Sequence, residues 1–161
     1  MRTGSLLGVA ELVASDEAPK AARDYVKKVL DEGHPAYDDV VLLACELVTN
    51  SALHSDSRDG GRITLSLADC LEVIYAEVTD AGGDNFPQII NDPLAESGRG
   101  LRIVRATAQV WGIRESRTER TIWFQIAYKP RPVIDFPRQR ESPGGGADGL
   151  PSRQAREALP L

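Results

Sequence analysis

Residues 37–54 have the apolar spacing of a long helix packed against a core, and two polar residues fall outside its apolar stripe. The stripe recurs every three or four positions and consists of Val40, Val41, Ala44, Leu47, Val48 and Ser51. Glu46 and Asn50 are four residues apart, so their side chains point the same way. A carboxylate can take a proton, and a carboxamide oxygen can bind a hard cation such as Mg²⁺. Taken alone, the pair is explained more simply as a polar helix face turned to water.

Two glycine motifs follow this helix. An apolar strand ends at Asp80, and Gly82 comes two residues later. Gly98 and Gly100 flank an arginine where another apolar helix begins. A simple turn explains the first motif, and a helix start that needs backbone freedom explains the second. The N-terminus of a helix also binds phosphate through its free N–H groups, and glycine lets the anion approach.

The order and spacing of these motifs resemble the GHKL ATPase superfamily, whose ATP-binding domain has the Bergerat fold. Residues 46–50 resemble its N box, residues 80–82 its first glycine box and residues 98–100 its second. Within the superfamily, the chain is most similar to the stand-alone anti-sigma factor serine/threonine kinases and to histidine-kinase-like ATP-binding regulators of actinobacteria. The resemblance covers nearly all of the chain up to about residue 128.

The fold expected from this resemblance and from the pattern of elements is α+β. It is a two-layer Bergerat sandwich, with helices on one face of a mixed, mostly antiparallel sheet. Strands are predicted at residues 6–13, 62–67, 71–79, 111–115 and 121–128. Helices are predicted at residues 37–54 and 101–110. A further helix is predicted to begin after a cap at Ser15 and Asp16 and to stop at Gly33. Residues 83–97 lack a period and are predicted to form a loop over the site.

The chain is predicted to contain one ATPase domain, residues 1–128, followed by a tail. Residues 129–161 are rich in proline and glycine and offer little apolar surface, so we expect this tail to be disordered.

The chain has 24 acidic against 19 basic residues, a balance that disfavours direct binding to nucleic acid or membrane phosphates. No apolar run approaches the roughly 18 residues of a membrane span, and no signal pattern opens the chain. We therefore expect a cytoplasmic protein.

The resemblance implies roles for single residues. Asn50 would bind Mg²⁺ through its side-chain oxygen, and the metal would bridge the phosphates of ATP. Glu46 would be the catalytic base that deprotonates the attacking hydroxyl. Asp80 would accept a hydrogen bond from the exocyclic amine of adenine, and Gly82 would let the backbone pass close to the base.

Other residues are implied at the edges of the same site. The second glycine box, Gly98 to Gly100, would bind the phosphates through backbone N–H groups, with added charge from Arg99 or Arg102. Leu101 belongs to the same ATP-binding set, and Arg102 would lie at the edge of the site. Thr121 resembles a late threonine that supports the adenine-binding aspartate, directly or through water. His54 lies on the same helix face as Asn50, and both a role at the edge of the site and a plain role at the helix end stay open.

Two functions remain open at this stage. The first is a protein serine/threonine kinase that phosphorylates an antagonist protein and otherwise binds a sigma factor, and a homodimer is possible because relatives often dimerise. The second is a non-catalytic module that uses ATP to control capture of its partner. Glu46 favours the kinase, because a binding module needs no base. Asp84 keeps the alternative open, since many relatives have a glycine there.

Overall fold

The computed structural model describes residues 4–84 and 99–128, without the side chain of Arg99. Within these ranges the chain forms five strands and three helices. The predicted tail lies outside the described residues, and so does most of the loop predicted at residues 83–97. Among the described helices, none is long and apolar enough to cross a membrane.

The five strands form one sheet. They are β1 (Ser5–Val13), β2 (Arg62–Asp69), β3 (Val73–Asp80), β4 (Val110–Glu115) and β5 (Arg120–Ala127). Their order is β1-β2-β3-β5-β4, and every neighbouring pair is antiparallel. The sheet of the described residues is therefore antiparallel rather than mixed. The physical reason is the hairpin between β4 and β5. It places β5 between β3 and β4, which run parallel to each other and would otherwise be neighbours.

The helices pack on one face of this sheet. They are α1 (Ala18–Val29), α2 (Tyr37–His54) and α3 (Arg99–Thr107). The predicted cap of α1 is wrong, because Glu17 is the N-cap residue and makes no side-chain cap hydrogen bond. Helix α3 ends three residues before the predicted end, since the backbone N–H of Gln109 donates to the carbonyl of Gln125 and the next residue begins β4.

Alternation along the strands separates the two faces of the sheet. On β3, Ile74, Ala76 and Val78 are buried against the helices, and the residues between them are half-buried on the other face. On β5, Ile122, Phe124 and Ile126 are buried in the same way. This alternation continues to the strand ends, where it places Asp80 and Arg120 on the helix side of the sheet. The polar site described below lies at that edge of the core.

One polar atom is buried within this packing without a partner. The Tyr25 hydroxyl of α1 has no hydrogen-bond partner among the described residues, and burial raises the Tyr25 pKa. It lies over Gly8 of β1, where an added Cβ would come 2.7 Å from the hydroxyl oxygen. An unpaired buried hydroxyl costs about 1–3 kcal/mol. Tyr25→Phe is therefore expected to raise the free energy of unfolding by about 1 kcal/mol in urea denaturation.

A matched substitution provides the control. The Tyr75 hydroxyl donates to Glu77 at 2.8 Å and accepts from Arg114 at 3.2 Å, so Tyr75→Phe should lower the free energy of unfolding. Gly8→Ala should destabilise the wild type and should cost less in the Tyr25→Phe background, because the atom that the new methyl would meet is gone. A Tyr25→Phe variant less stable than wild type would contradict this account.

Candidate functional site

Glu46 and Asn50 lie on α2 and meet the first turn of α3. A Cβ added at Gly100 would lie 2.6 Å from Asn50 Nδ2 and 3.3 Å from Glu46 Oε2. Both α2 side chains are half-buried, and the α3 backbone occupies the space beside them. The structure therefore brings the predicted N box and the second glycine box into contact. A side chain at position 100 would require Asn50 or the start of α3 to shift.

The beginning of α3 offers donors at this point. The first N–H groups of a helix have no partner within the helix, and the helix dipole favours an anion there. No acidic residue stands in the first turn of α3. Leu101 is 2% exposed and belongs to the core, so its side chain supports the helix and only its backbone can face a ligand. Arg102 is exposed on α3, whereas Gly98 lies outside the described residues.

Asp80 is fixed by two hydrogen bonds at the end of β3. Its Oδ2 accepts from the Ser51 hydroxyl at 2.6 Å, and its Oδ1 accepts from the Gly82 N–H at 2.7 Å. The side chain is buried, yet each oxygen keeps a lone pair for a further donor. Ser51 directly follows Asn50 on α2, so one turn of helix contacts both predicted ends of a nucleotide site. The sequence pattern predicts Ser51 in the core but does not predict this bond.

The turn after Asp80, residues 81–83, is called here the glycine loop. Gly82 has φ of +72° and Gly83 has φ of +142°, a backbone that favours glycine at both positions. The loop is bonded on the side of α2 through the Ala81 N–H to the Ser57 hydroxyl at 2.9 Å and through the Asp56 N–H to the Gly82 carbonyl at 2.7 Å. No sequence pattern predicts these partners, which lie in the polar stretch after α2.

Thr121 does not reach Asp80. Its hydroxyl pairs with the Thr79 hydroxyl at 2.8 Å on the sheet face away from the helices. The strand register instead places Arg120 opposite Asp80, and both side chains are buried on the helix side. Neighbouring residues of a strand face opposite ways, so the predicted role of Thr121 as support for Asp80 is a one-residue error in register. Arg120 occupies that position.

Two other titratable side chains of α2 are His54 and Cys45. His54 is exposed at the last position of the helix. The Cys45 thiol donates to the Pro19 carbonyl at 3.4 Å, and burial raises the pKa of this thiol, which keeps it uncharged at neutral pH. Within residues 4–84 and 99–128, no group of three or more His, Cys, Asp or Glu side chains is arranged to hold a metal. A Mg²⁺ ion there would depend on Asn50 together with phosphate and water oxygens.

A cavity of about 300 Å³ lies beside Ala81 of the glycine loop. Its lining includes Asp56, Arg62, Thr79 and Glu119, and it touches Asp80 but neither Glu46 nor Asn50. It is thus separate from the contact between α2 and α3.

Comparison with known proteins bears on the fold. No protein-family model matches the chain, and no curated protein matches it. Among solved structures, the chain is similar to the crystal structure of the RsbU and RsbW domains of Rv1364c from Mycobacterium tuberculosis, with a TM-score of 0.57 and 19% sequence identity. The fold is similar to that of an RsbW domain. The match covers 76% of this chain and 33% of the other, so this chain spans about a third of the length of that structure.

The structure and this similarity in fold confirm the predicted class, an α+β sandwich with helices on one face of the sheet. At this identity the match concerns the fold alone. The assignments of Glu46, Asn50, Asp80 and Gly100 stay predictions, and their support is the contacts described above.

Proposed function

We propose that the protein binds Mg-ATP and acts as a regulatory serine/threonine protein kinase of the anti-sigma factor type. The observation that carries the proposal is the contact of Gly100 with Glu46 and Asn50. It joins a carboxylate, a carboxamide and the N-terminus of a helix at one point. Each of these groups serves phosphoryl transfer, as a proton acceptor, a cation ligand and a phosphate site respectively.

The chemistry assigned to each group follows from its position. Asn50 would hold Mg²⁺, which supplies positive charge to the phosphates when it is bound. The first N–H groups of α3 would bind phosphate oxygens. Glu46, one turn before Asn50 on α2, would accept the proton of a serine or threonine hydroxyl. That oxygen forms a bond to the γ-phosphorus while the bond between this phosphorus and the oxygen of ADP breaks.

At the base end, Asp80 would accept a hydrogen bond from the exocyclic amine of adenine. Ser51 and Gly82 already orient this carboxylate, so little ordering is required when the base binds. Guanine has a carbonyl oxygen in place of that amine. Two acceptors would then face each other in a buried position, which costs binding free energy.

The partners belong to the same proposal. The substrate is an antagonist protein with a serine or threonine, and the unphosphorylated antagonist competes with a sigma factor for the kinase. The similarity in fold to a structure of RsbU and RsbW domains supports such partner switching. A cytoplasmic location and a homodimeric kinase belong to the same proposal. The acidic composition supports an output through protein partners rather than direct contact with DNA.

A second function is favoured by one observation. Asp84 is exposed directly after Gly83 and adds negative charge beside the glycine loop. Added negative charge beside the nucleotide disfavours phosphotransfer, because the charge on the phosphates must be neutralised, and this suits a module in which ATP is bound and not turned over. This non-catalytic module would capture its partner in an ATP-dependent way.

The first test is nucleotide binding by calorimetry. The full chain is expected to bind Mg-ATP in the micromolar range, about −8 kcal/mol, and to bind Mg-GTP more weakly. Thr121→Val is the control, because its side chain lies on the sheet face away from the helices and should leave ATP affinity unchanged. Equal affinity for ATP and GTP would contradict the role of Asp80. Absence of nucleotide binding would contradict the whole proposal.

A further inference from the structure

Arg120 is a buried cation at the edge of the proposed nucleotide site. It is the first residue of β5, and its side chain is 5% exposed. A buried guanidinium is costly unless its charge and its donors are satisfied. Arg120 Nε donates to Glu115 Oε1 at 2.6 Å across the β4–β5 hairpin, and the Glu115 side chain is 37% exposed. This ion pair holds the Nε side of the guanidinium against Glu115 of β4.

The other end of the guanidinium contacts the glycine loop. Arg120 Nη2 donates to the Gly83 carbonyl at 3.0 Å. The loop passes close to the hairpin, since a Cβ added at Gly82 would lie 3.9 Å from Arg120 Cβ and 3.8 Å from the carbonyl carbon of Glu119. A hydrogen bond from a charged donor is roughly twice as strong as one between neutral groups. The hairpin therefore holds the loop through a charged side chain.

This contact adds to the bonds made by residues after α2. Asp56 and Ser57 hold the loop from the stretch that follows α2, and Arg120 holds it from the β4–β5 hairpin. Gly82 and Gly83 have positive φ values and would populate many conformations if the loop were free. The Gly82 N–H that orients Asp80 belongs to the same loop.

We propose that Arg120 is a positioning residue that holds the glycine loop in the conformation required for adenine binding. The inference rests on the proposed function, because it assigns Arg120 to the ATP site. Arg120 would not touch ATP. It would act through the Gly83 carbonyl, and so through the Gly82 N–H that fixes Asp80.

The test uses the full chain with Arg120→Met and Arg120→Lys. Two properties are measured for each variant: ATP affinity by calorimetry and the amide resonances of Gly82 and Gly83 by nitrogen-15 NMR without nucleotide. Arg120→Met removes both donors, so we expect shifted loop resonances and ATP affinity about tenfold lower, the scale of one charged hydrogen bond. Arg120→Lys can restore one donor toward Gly83 and should recover part of the affinity.

Ile126→Ala is the matched control. Ile126 is buried on the same strand, at the end away from Arg120, so the substitution leaves a cavity without touching the loop. It should lower the melting temperature and leave ATP affinity and the two glycine resonances unchanged. An equal loss of ATP affinity in Ile126→Ala would show that Arg120 acts through general stability, which would overturn the inference.

The remaining outcomes separate this inference from the proposed function. In one outcome, wild type binds ATP and both Arg120 variants equal it in ATP affinity and in the Gly83 resonance. That result would overturn the role of Arg120 and leave the proposed function standing. Wild type that binds no ATP would overturn the proposed function and this inference with it. Should Arg120→Met fail to fold, Arg120→Lys and Glu115→Gln replace it, because both keep the side-chain volume and alter the anchoring.

Discussion

Glu46→Gln is expected to lower phosphotransfer by roughly 10²-fold or more while ATP binding stays close to that of wild type. The amide keeps the shape of the carboxylate beside Gly100 but cannot take the proton of the attacking hydroxyl. A base acts on the transition state, whereas a cation ligand also serves the ground state. Asn50→Ala should therefore weaken both ATP binding and transfer. The assay is transfer of labelled γ-phosphate to a candidate antagonist protein, with calorimetry on each variant.

Glu77→Gln is the matched control for this substitution. Glu77 lies on the sheet face away from the helices, where it accepts hydrogen bonds from Tyr75 and Arg114, so its loss should not affect transfer. The kinase proposal fails if wild type and Glu46→Gln transfer equally slowly and both capture a partner only with ATP. That result would establish the non-catalytic module.

Local spacing was enough to predict the helix that carries the site. The apolar period over residues 37–54 predicts the bounds that the structure shows for α2, Tyr37–His54. It also leaves Glu46 and Asn50 off the buried stripe, and both are half-buried in the structure. Such a prediction succeeds because the period of an α-helix puts its apolar side chains on one face, and that period can be read from residues close in sequence.

Register between distant strands was the part that the sequence did not settle. Residues 80 and 120 are paired across the sheet, although the chain between them includes a helix and another strand. An error of one residue moves a side chain to the other face, and this error put Thr121 in place of Arg120. The sequence does contain a signal for the correct register. Side chains on a strand alternate between faces, so Phe124, Ile122 and Arg120 all lie on the buried face.

Polar partners of the loop were also missed, for a different reason. Ser51 lies on the predicted buried stripe, and a buried hydroxyl requires a partner, so its bond to Asp80 was open to inference. Ser57 had no such signal. Its contacts with the Ala81 N–H and the Arg62 carbonyl depend on how the stretch after α2 folds back on the sheet.

Gly100→Ala is expected to weaken ATP binding by about tenfold or more, although alanine is the better helix former by roughly 1 kcal/mol. The new Cβ would lie 2.6 Å from Asn50 Nδ2, so either Asn50 or the start of α3 must shift. Calorimetry with Mg-ATP measures the effect. Ala106→Gly is the control, because Ala106 is exposed on α3 and its loss lowers helix propensity without contact with the site. ATP affinity of that variant should equal that of wild type.

The source of the effect can be isolated with a double variant. If the clash is with the Asn50 side chain, Gly100→Ala should cost stability in wild type and little or none in the Asn50→Ala background, where the new methyl group has space. Thermal denaturation of the four proteins measures this coupling without nucleotide. Equal losses in both backgrounds would show that the methyl group does not meet Asn50. The N box and the second glycine box would then be neighbours without being matched in shape, and the strongest support for a joint phosphate site would be lost.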